Sequence, residues 1–496
     1  MSRKKKNHSS QQTKSDANET LLERYRVFLS EAEFEKLRVE ITQPLQTTIR
    51  INLLKHQPEE MAEKISRLYE WQLEPISFCP SGFRVASGTF SPSQTIEHRM
   101  GDFYIQEAAS MLPAELFDLT RNPQPLTLDM AASPGGKTIH LADLSRDCGL
   151  IIANDASRAR LPALQVVLRK WGVINQAVTC LPGELFAQAT GERFDAVLLD
   201  APCSMEGLRA TASHKMRTIS TKERERLALR QQKLLASALA AVKTGGQVVY
   251  STCTLAPEEN ESVLAEVLDE FPNAFQVDEL QQKFPVPAPG LDKFGETRYP
   301  PAVRNGLRLW PHLCHTAGFF AARLTKLKDI VIRHPSQPHL VNSHTPRLLA
   351  EKETQTVSRM LMDQYGFDLN TLMEKQDLAV RQHKNDLLFT PMMYLNEFAD
   401  LSCLSIGLKL GERIENEFIP AHEFAARFGQ SFRSGKIQLD EEQVKPWLRG
   451  EDLRPYSTPA LPKGRVVVVT DGNGRNLGRG KILTTQLKNL LPNRLF

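Results

Sequence analysis

The chain has 496 residues, 41% of them hydrophobic and 24% charged, with a formal net charge of +4. This length exceeds what one hydrophobic core normally organises, so two or three domains are expected. No run of about 18 uncharged apolar residues is present and no apolar stretch follows the basic N-terminus, which excludes a membrane-spanning helix and a secretory signal. We therefore expect a cytoplasmic protein without membrane contact, for which a monomer suffices.

The first twenty residues are polar and carry the basic run Arg3, Lys4, Lys5 and Lys6. Because they lack apolar periodicity, residues 1–20 are expected to be disordered. Two interpretations of this tail stay open, a solvated extension or an arm that contacts a nucleic acid, since four charges add only modest affinity.

A small α+β domain is predicted over residues 21–100. Its apolar residues recur at loose helical spacing from residue 21 to 40, and TTIRINLL (47–54) then alternates as a strand does.

From residue 126 to 254 the pattern is strand, turn and helix, repeated several times. This pattern is typical of an α/β fold with a doubly wound, mostly parallel sheet and helices on both faces. The predicted strands are PLTLDMA (125–131), LIIAND (150–155), QAVTC (176–180), FDAVLLD (194–200) and GQVVYSTC (246–253). A helix is predicted from residue 221 to 242, with Gly245 and Gly246 as its C-terminal stop.

Two further apolar segments, GLRLWP (306–311) and GFFAARL (318–324), are predicted to form an antiparallel pair that completes the sheet. The central domain would then span residues 101–327. Three prolines among Ser, Asn and His indicate a linker at residues 328–347. Residues 348–496 read as a third domain of α+β type, with a helix in 348–367, a strand in 464–470 and DGNG as a hairpin turn.

The seven cysteines are scattered, and none is in a Cys-x-x-Cys pair. Their positions are 79, 148, 180, 203, 253, 314 and 403. This spacing argues against a disulfide framework and against a zinc knuckle, so no metal is expected.

The first unusual strand end is DMAASPGGKT (129–138), where a strand runs through a glycine turn into a helix. Gly135 and Gly136 let a ligand approach the backbone, and the helix N-terminus offers free N–H groups, although for two glycines alone a purely structural turn is the favoured interpretation. A phosphate-binding P-loop needs glycine where Ala131 stands. Asp155 ends the next strand, in the position that binds ribose hydroxyls in doubly wound folds, so a nucleoside fits better than a nucleoside triphosphate.

Two more strand ends carry cysteine, Asp200-Ala201-Pro202-Cys203 and Ser251-Thr252-Cys253-Thr254. A single free cysteine is often just a small buried apolar residue. Two on the ends of adjacent strands, beside a nucleoside-type turn, favour chemistry instead. A thiolate added to C6 of cytosine turns the ring into an enamine whose C5 attacks a sulfonium methyl group, and a second thiol or base helps to release the enzyme. Asp200 would stabilise the developing charge if burial kept it protonated.

Together these motifs resemble the NOL1/NOP2/Sun family of RNA cytosine-C5 methyltransferases, and their order resembles a bacterial branch acting on 16S ribosomal RNA. The resemblance runs from RINLLK (50–55) through FYIQEAASMLP (103–113), DAPCS (200–204), YSTCTLAPEENE (250–261) and RLWPHLCHTAGFF (308–320) to the C-terminus. It implies S-adenosylmethionine as cofactor, small-subunit ribosomal RNA or the subunit itself as partner, an RNA-recognition-like N-terminal domain and a PUA-like C-terminal module.

The resemblance also implies roles for single residues. The cofactor would be held by Ala131, Ala132, Ser133, Pro134, Gly135, Gly136, Lys137, Asp155 and Asp200. Cys253 would be the nucleophile and Cys203 the residue that assists release, with Lys137 and Asp200 in the catalytic pocket.

Some positions depart from the family pattern. Met205 stands where the family usually has glycine, Pro182 stands where an acidic residue is expected, and residues 209–217 replace the usual basic-aspartate-proline segment. A catalytically impaired RNA-binding factor on the same fold is therefore the alternative. Arg50, Lys55, Arg304 and Arg308 would line an RNA groove or lie on solvated faces.

Overall fold

A computed structural model describes residues 22–88, 90–209, 219–332, 347–456 and 461–492. The expected disordered tail, most of the expected linker and most of the divergent 209–217 segment lie outside the described residues. None of the helices in the described ranges is long and apolar enough to cross a membrane.

The N-terminal part contains a four-stranded antiparallel sheet with the order β2-β3-β1-β4. Its elements are α1 (Glu31–Glu40), β1 (Thr48–Ile51), α2 (Pro58–Tyr69), β2 (Gln72–Ile76), β3 (Cys79–Ser87), α3 (Ile96–Met100) and β4 (Phe103–Ile105). β1 is the strand predicted within 47–54, and its Ile49 and Ile51 are fully buried in this domain's core with Trp71 and Phe103.

Residues 22–41 do not pack on this sheet, although the sequence placed them in the same domain. Their apolar residues join a cluster with a loop of the central domain. The buried members of that cluster are Leu22, Tyr25, Phe34, Leu37, Leu208, Leu255 and Trp310. Helical spacing predicted the existence of α1 and could not predict which domain it covers, because its partner surface is distant in sequence.

The central domain confirms the doubly wound prediction. Its strands are β5 (Leu126–Asp129), β6 (Leu150–Asn154), β7 (Gln176–Thr179), β8 (Phe194–Asp200), β9 (Val242–Thr252), β10 (Phe275–Val277), β11 (Lys293–Phe294), β12 (Thr297–Arg298), β13 (Leu307–Leu309) and β14 (Phe319–Lys326). The sheet order is β10-β14-β9-β8-β5-β6-β7-β18, with β9, β8, β5, β6 and β7 mutually parallel. Its last strand, β18 (Ser405–Ile406), comes from the C-terminal part. The predicted antiparallel pair is β13 and β14, which extends the sheet beyond β9.

Helices cover both faces of this sheet. They are α4 (Leu112–Glu115), α5 (Gly136–Leu144), α6 (Leu161–Trp171), α7 (Phe186–Thr190), α8 (Thr221–Ala241), α9 (Glu261–Glu270) and α10 (Pro311–Cys314). α8 ends at Ala241, and the chain enters β9 at once, so the predicted stop at Gly245 and Gly246 was wrong. Gly245 has a φ of +82° and lies within β9, beside the register shift against β8.

The C-terminal part holds two separate sheets. The first sheet has the strand order β15-β16-β17-β19-β20, and the second has the order β21-β22-β23-β24. Helix α14 joins the two sheets. The elements are β15 (Arg347–Leu348), α11 (Glu351–Tyr365), α12 (Leu369–Gln376), β16 (Leu378–His383), β17 (Asp386–Pro391), α13 (Met392–Glu397), β18 (Ser405–Ile406), β19 (Lys409–Ile414), β20 (Glu417–Pro420), α14 (His422–Phe428), β21 (Lys436–Leu439), α15 (Glu441–Leu448), β22 (Val466–Asp471), β23 (Asn476–Ile482) and β24 (Leu487–Asn489). The predicted DGNG turn connects β22 to β23, and β18 pairs antiparallel with β7 of the central sheet.

Four basic residues were predicted to line an RNA groove or to lie on solvated faces. Three of them are instead enclosed within the protein. Arg50 and Arg308 are fully buried, in ion pairs with Asp143 and Glu261. The Lys55 ammonium donates to the carbonyl of Met100 and is likewise almost wholly enclosed. Only Arg304 of the four is exposed.

Candidate active site

The carboxyl ends of four parallel strands bring the predicted residues to one edge of the central sheet. Asp129 ends β5, Asp155 follows β6, Asp200 ends β8 and Cys253 follows β9. Because parallel strands share this edge, residues more than a hundred positions apart become neighbours there. Asn154, at the end of β6, ties the ends of β5 and β7 together, since its amide donates to the carbonyls of Met130 and Leu181 at 3.0 and 2.9 Å.

The two strand-end cysteines are in contact. The Sγ atoms of Cys203 and Cys253 lie 3.3 Å apart, and both side chains are partly exposed. The sequence predicted this adjacency from the order of the strands, and the pairing of β8 with β9 provides it.

The electrostatic surroundings of the two thiols differ. The hydrogen bond to Cys253, together with burial and the nearby Glu259 carboxylate, holds the pKa of Cys203 well above its ordinary value. Cys253 instead interacts with the Lys137 ammonium, whose pKa its thiolate helps to raise. The hydrogen bond to Cys253, burial and the nearby Glu259 carboxylate all favour a neutral thiol at Cys203.

Lys137 lies at the centre of the polar contacts. Its Nζ donates to Asp200 Oδ2 at 2.8 Å and to Ser110 Oγ at 2.7 Å. Burial lowers the pKa of Lys137, but the Asp200 carboxylate outweighs burial, so the net shift is upward. Asp200 also accepts from Ser251 Oγ at 2.9 Å.

Asp200 lacks the burial on which its expected role as an acid depended. Its side chain is 31% exposed and its nearest charged partner is the Lys137 ammonium. The structure therefore presents Asp200 as one half of an ion pair at the carboxyl edge of the sheet.

The glycine turn is held by its neighbours. Gly135 has a φ of +115°, and a Cβ there would come within 3.1 Å of the side chains of Leu164 and Val167 on α6. The N–H of Ser133 donates to Asp155 Oδ2 at 3.3 Å, and the N–H of Ser157 donates to Asp155 Oδ1 at 2.8 Å. Glycine's freedom of φ is thus required at 135, and the space beside its Cα is tight.

Asp129 is a site residue to which the sequence analysis gave no role. Burial raises its pKa to about 7. Thr138 Oγ1 donates to its Oδ2 at 2.7 Å, while its Oδ1 has no hydrogen-bond partner among the described residues. A buried carboxylate oxygen without a partner is costly, so Oδ1 of Asp129 is a candidate contact for a polar ligand at this edge of the sheet.

Glu259 is a second site residue for which the sequence predicted no role, although it lies in the YSTCTLAPEENE segment. It is fully buried, and burial raises its pKa. Its Oε2 accepts from the N–H of Ser204 and from Gln231 Nε2, each at 2.9 Å. Glu259 therefore fixes the backbone immediately after Cys203.

One group of the described residues has donor atoms close enough for a metal ion, namely Cys79, Glu115 and His140. His140 Nε2 lies 2.9 Å from Glu115 Oε1, a hydrogen bond that explains this pair without a metal. Burial raises the pKa of the Cys79 thiol to about 12, so the thiolate that a metal requires is disfavoured. The group lies between β3 and the central domain, away from the cysteine pair.

Three family models match three successive parts of the chain. Residues 18–108 match the N-terminal domain of 16S rRNA methyltransferase RsmF, residues 117–325 match 16S rRNA methyltransferase RsmB/F, and residues 434–496 match the methyltransferase RsmF PUA domain.

Two relatives are similar over nearly the whole chain. Ribosomal RNA small subunit methyltransferase F of Aeromonas hydrophila subsp. hydrophila is 34% identical over 457 residues, which are 91% of each chain. The protein of the same name from Shewanella woodyi is 34% identical over 458 residues, 92% of this chain and 91% of its own.

Solved structures share the fold of the larger part of the chain. A methyltransferase homolog protein from Pyrococcus horikoshii is 30% identical with a TM-score of 0.53, covering 62% of this chain and 99% of its own. NSun6 from Pyrococcus horikoshii, solved with SFG, is 22% identical with a TM-score of 0.50 over 62% of this chain and 98% of its own.

Proposed function

The chain belongs to the family of ribosomal RNA small subunit methyltransferase F, a family of S-adenosylmethionine-dependent RNA methyltransferases, and from this premise we propose that it methylates C5 of one cytosine in 16S ribosomal RNA through a covalent adduct with Cys253. The observation that carries the proposal is the 3.3 Å contact between Cys203 and Cys253 at the carboxyl edge of the sheet.

S-adenosylmethionine, when bound, supplies an electrophilic methyl group. The residues proposed to hold it are the turn Ala131–Lys137, Asp155 for the ribose and Asp200. The unpartnered Oδ1 of Asp129 supports a polar ligand at the carboxyl edge of the sheet.

In the proposed reaction the Cys253 thiolate forms a bond to C6 of cytosine, and the C5–C6 π electrons move into the ring and make C5 nucleophilic. The Cys203 thiol yields its proton to the anionic ring and becomes a thiolate. After C5 has gained the methyl group, the Cys203 thiolate takes the C5 proton, the C5–C6 double bond re-forms and the C6–sulfur bond breaks. The N3 proton then leaves, so one proton is released overall.

Lys137 is proposed to support the first step because its ammonium interacts electrostatically with Cys253, and the ion pair with Asp200 holds that ammonium in place. The N-terminal sheet and the PUA-like module are proposed to bind the folded RNA. The domain limits 21–100, 101–327 and 348–496 remain proposals as well. In the structure, β4 lies beyond residue 100 and pairs with β1 of the N-terminal sheet, and residues 22–41 pack on the central domain.

The test is transfer of labelled methyl from S-adenosylmethionine to small-subunit RNA, or to subunits, that lack the modification. We expect Cys253→Ala to abolish transfer and Cys203→Ala to accumulate a covalent protein–RNA adduct that survives denaturing electrophoresis. Cys148→Ala is the matched control, since Cys148 lies at the opposite edge of the sheet, before β6. Methyl transfer at the wild-type rate by Cys253→Ala would rule out the mechanism.

The alternative is an RNA-binding factor that has lost activity. It is favoured by Met205, which adopts a φ of +61° directly behind Cys203, and by Pro182, which follows β7 in place of an acidic residue. Tight RNA binding together with undetectable binding of S-adenosylmethionine by calorimetry would support this alternative.

A further inference from the structure

The segment of residues 22–43, here called the N-terminal clamp, contacts the loop of residues 203–209, here called the Cys203 loop. We propose that the clamp is a positioning element that holds this loop in the geometry in which Cys203 faces Cys253. The inference rests on the proposed function, because it assigns the clamp to the reaction of these two cysteines.

The Cys203 loop cannot hold itself in this shape. Met205 and Leu208 have φ values of +61° and +64°, in the left-handed region that residues with a side chain adopt only at a cost. Such a conformation persists only where surrounding contacts impose it, so the contacts around the loop decide where Cys203 lies.

The clamp provides a charged contact at the far end of the loop. Arg209 is enclosed, and its guanidinium donates to Glu40 Oε1 at 2.8 Å and to the carbonyl of Gln43 at 2.8 Å. A charged pair removed from water in this way is coupled more strongly than an exposed pair.

A second charged contact joins both cysteine-bearing segments. Arg24 pairs with Glu258, five residues after Cys253, and its Nη1 lies 3.8 Å from Glu206 Oε2, three residues after Cys203. Glu206 is fully buried and also accepts two hydrogen bonds from Arg224, at 2.7 and 2.9 Å.

Apolar contacts complete the arrangement. Leu208 is 2% exposed and packs with Tyr25, Phe34 and Leu37 of the clamp. Leu255, two residues after Cys253, lies in the same cluster and donates its N–H to the carbonyl of Glu206 at 3.3 Å. The clamp therefore covers the two cysteine segments as one unit, and none of the clamp's contacts given above involves the turn 131–137.

This separation makes the proposal testable. We expect Glu40→Gln to lower kcat for methyl transfer about tenfold while the Kd for S-adenosylmethionine stays unchanged. In the Arg209→Gln background, adding Glu40→Gln should cost less than about a further twofold, because the shared contact is already lost. Glu35→Gln is the matched control, since Glu35 lies on the same helix and pairs with the exposed Arg38.

A readout independent of activity is the rate at which iodoacetamide alkylates Cys203, followed by mass spectrometry. Glu40→Gln should speed this alkylation and Glu35→Gln should not. If Glu40→Gln does not fold, Arg24→Gln breaks the second contact and serves in its place, with the thermal midpoint recorded for each variant.

Wild-type kcat and wild-type alkylation of Cys203 in both Glu40→Gln and Arg24→Gln would overturn the proposal. A parallel loss of cofactor binding would also overturn it, because it would show a general loss of structure. If the wild-type protein transfers no methyl, the proposed function fails, and the alkylation rates alone then decide whether the clamp positions Cys203.

Discussion

The left-handed backbone at Met205, with a φ of +61°, can be tested by substitution. At such a φ the ordinary stability preference for alanine over glycine is reversed. In helices and strands, alanine is more stabilising than glycine by roughly 0.5–1 kcal/mol, since glycine loses more conformational freedom on folding. In the left-handed region the Cβ of alanine instead costs roughly 1–2 kcal/mol. We therefore expect Met205→Gly to be more stable than Met205→Ala by about 1 kcal/mol, the difference of the two effects.

The assay is the thermal midpoint of the central domain's unfolding, followed in both variants under identical conditions. For a domain of this size, about 1 kcal/mol shifts the midpoint by roughly 2–4 °C. Leu229 is the control position, because it is 58% exposed within α8, where alanine should be the more stable residue. A midpoint for Met205→Ala equal to or above that of Met205→Gly would refute the left-handed conformation at 205.

Two further predictions concern buried charges. Arg308→Met should lower the free energy of unfolding by roughly 3–5 kcal/mol, because it leaves the buried Glu261 without its partner. The control, Arg304→Met on the surface, should change the free energy of unfolding by less than about 0.5 kcal/mol. Urea denaturation of both variants measures the difference. Asp129 has a folded pKa of about 7, above its ordinary 3.8, so the folded state binds the extra proton between those values. The stability of the wild type relative to Asp129→Asn should therefore fall as pH rises from about 4 to 7 and level off above 7; thermal midpoints independent of pH across this window would contradict the burial of the carboxylate.

The parallel sheet and the cysteine pair were predictable for a simple reason. Strands of a doubly wound sheet are short apolar runs separated by helices, and residues that follow such runs must meet at one edge. Asp155, Asp200, Cys203 and Cys253 could therefore be placed together from their positions relative to the strands. The roles assigned to them stay predictions, because contact alone does not show which thiol attacks.

What the sequence did not reveal depends on partners distant along the chain. Arg50 and Arg308 look like RNA-binding residues until Asp143 and Glu261 are seen to neutralise them in the interior. The loop–clamp contact of Arg209 with Glu40 joins residues 169 positions apart, and no local pattern marks it. Gly245 was wrongly predicted to end a helix, because a glycine within a distorted strand has the same local sequence pattern as a glycine that ends a helix.

The pairing of β18 with β7 has a consequence for how the protein can be divided. β7 would otherwise be the last strand of the parallel sheet, with a row of free backbone donors and acceptors on its outer side. Ser405 and Ile406 occupy that side, with supporting bonds from the N–H groups of Leu404 and Gly407 at 2.8 Å each. Unprotected edge strands are templates for pairing with other chains. The central sheet therefore takes its last strand from outside residues 101–327. A fragment ending at residue 327 would lack β18, and the exposed edge of β7 would be free to pair with other chains.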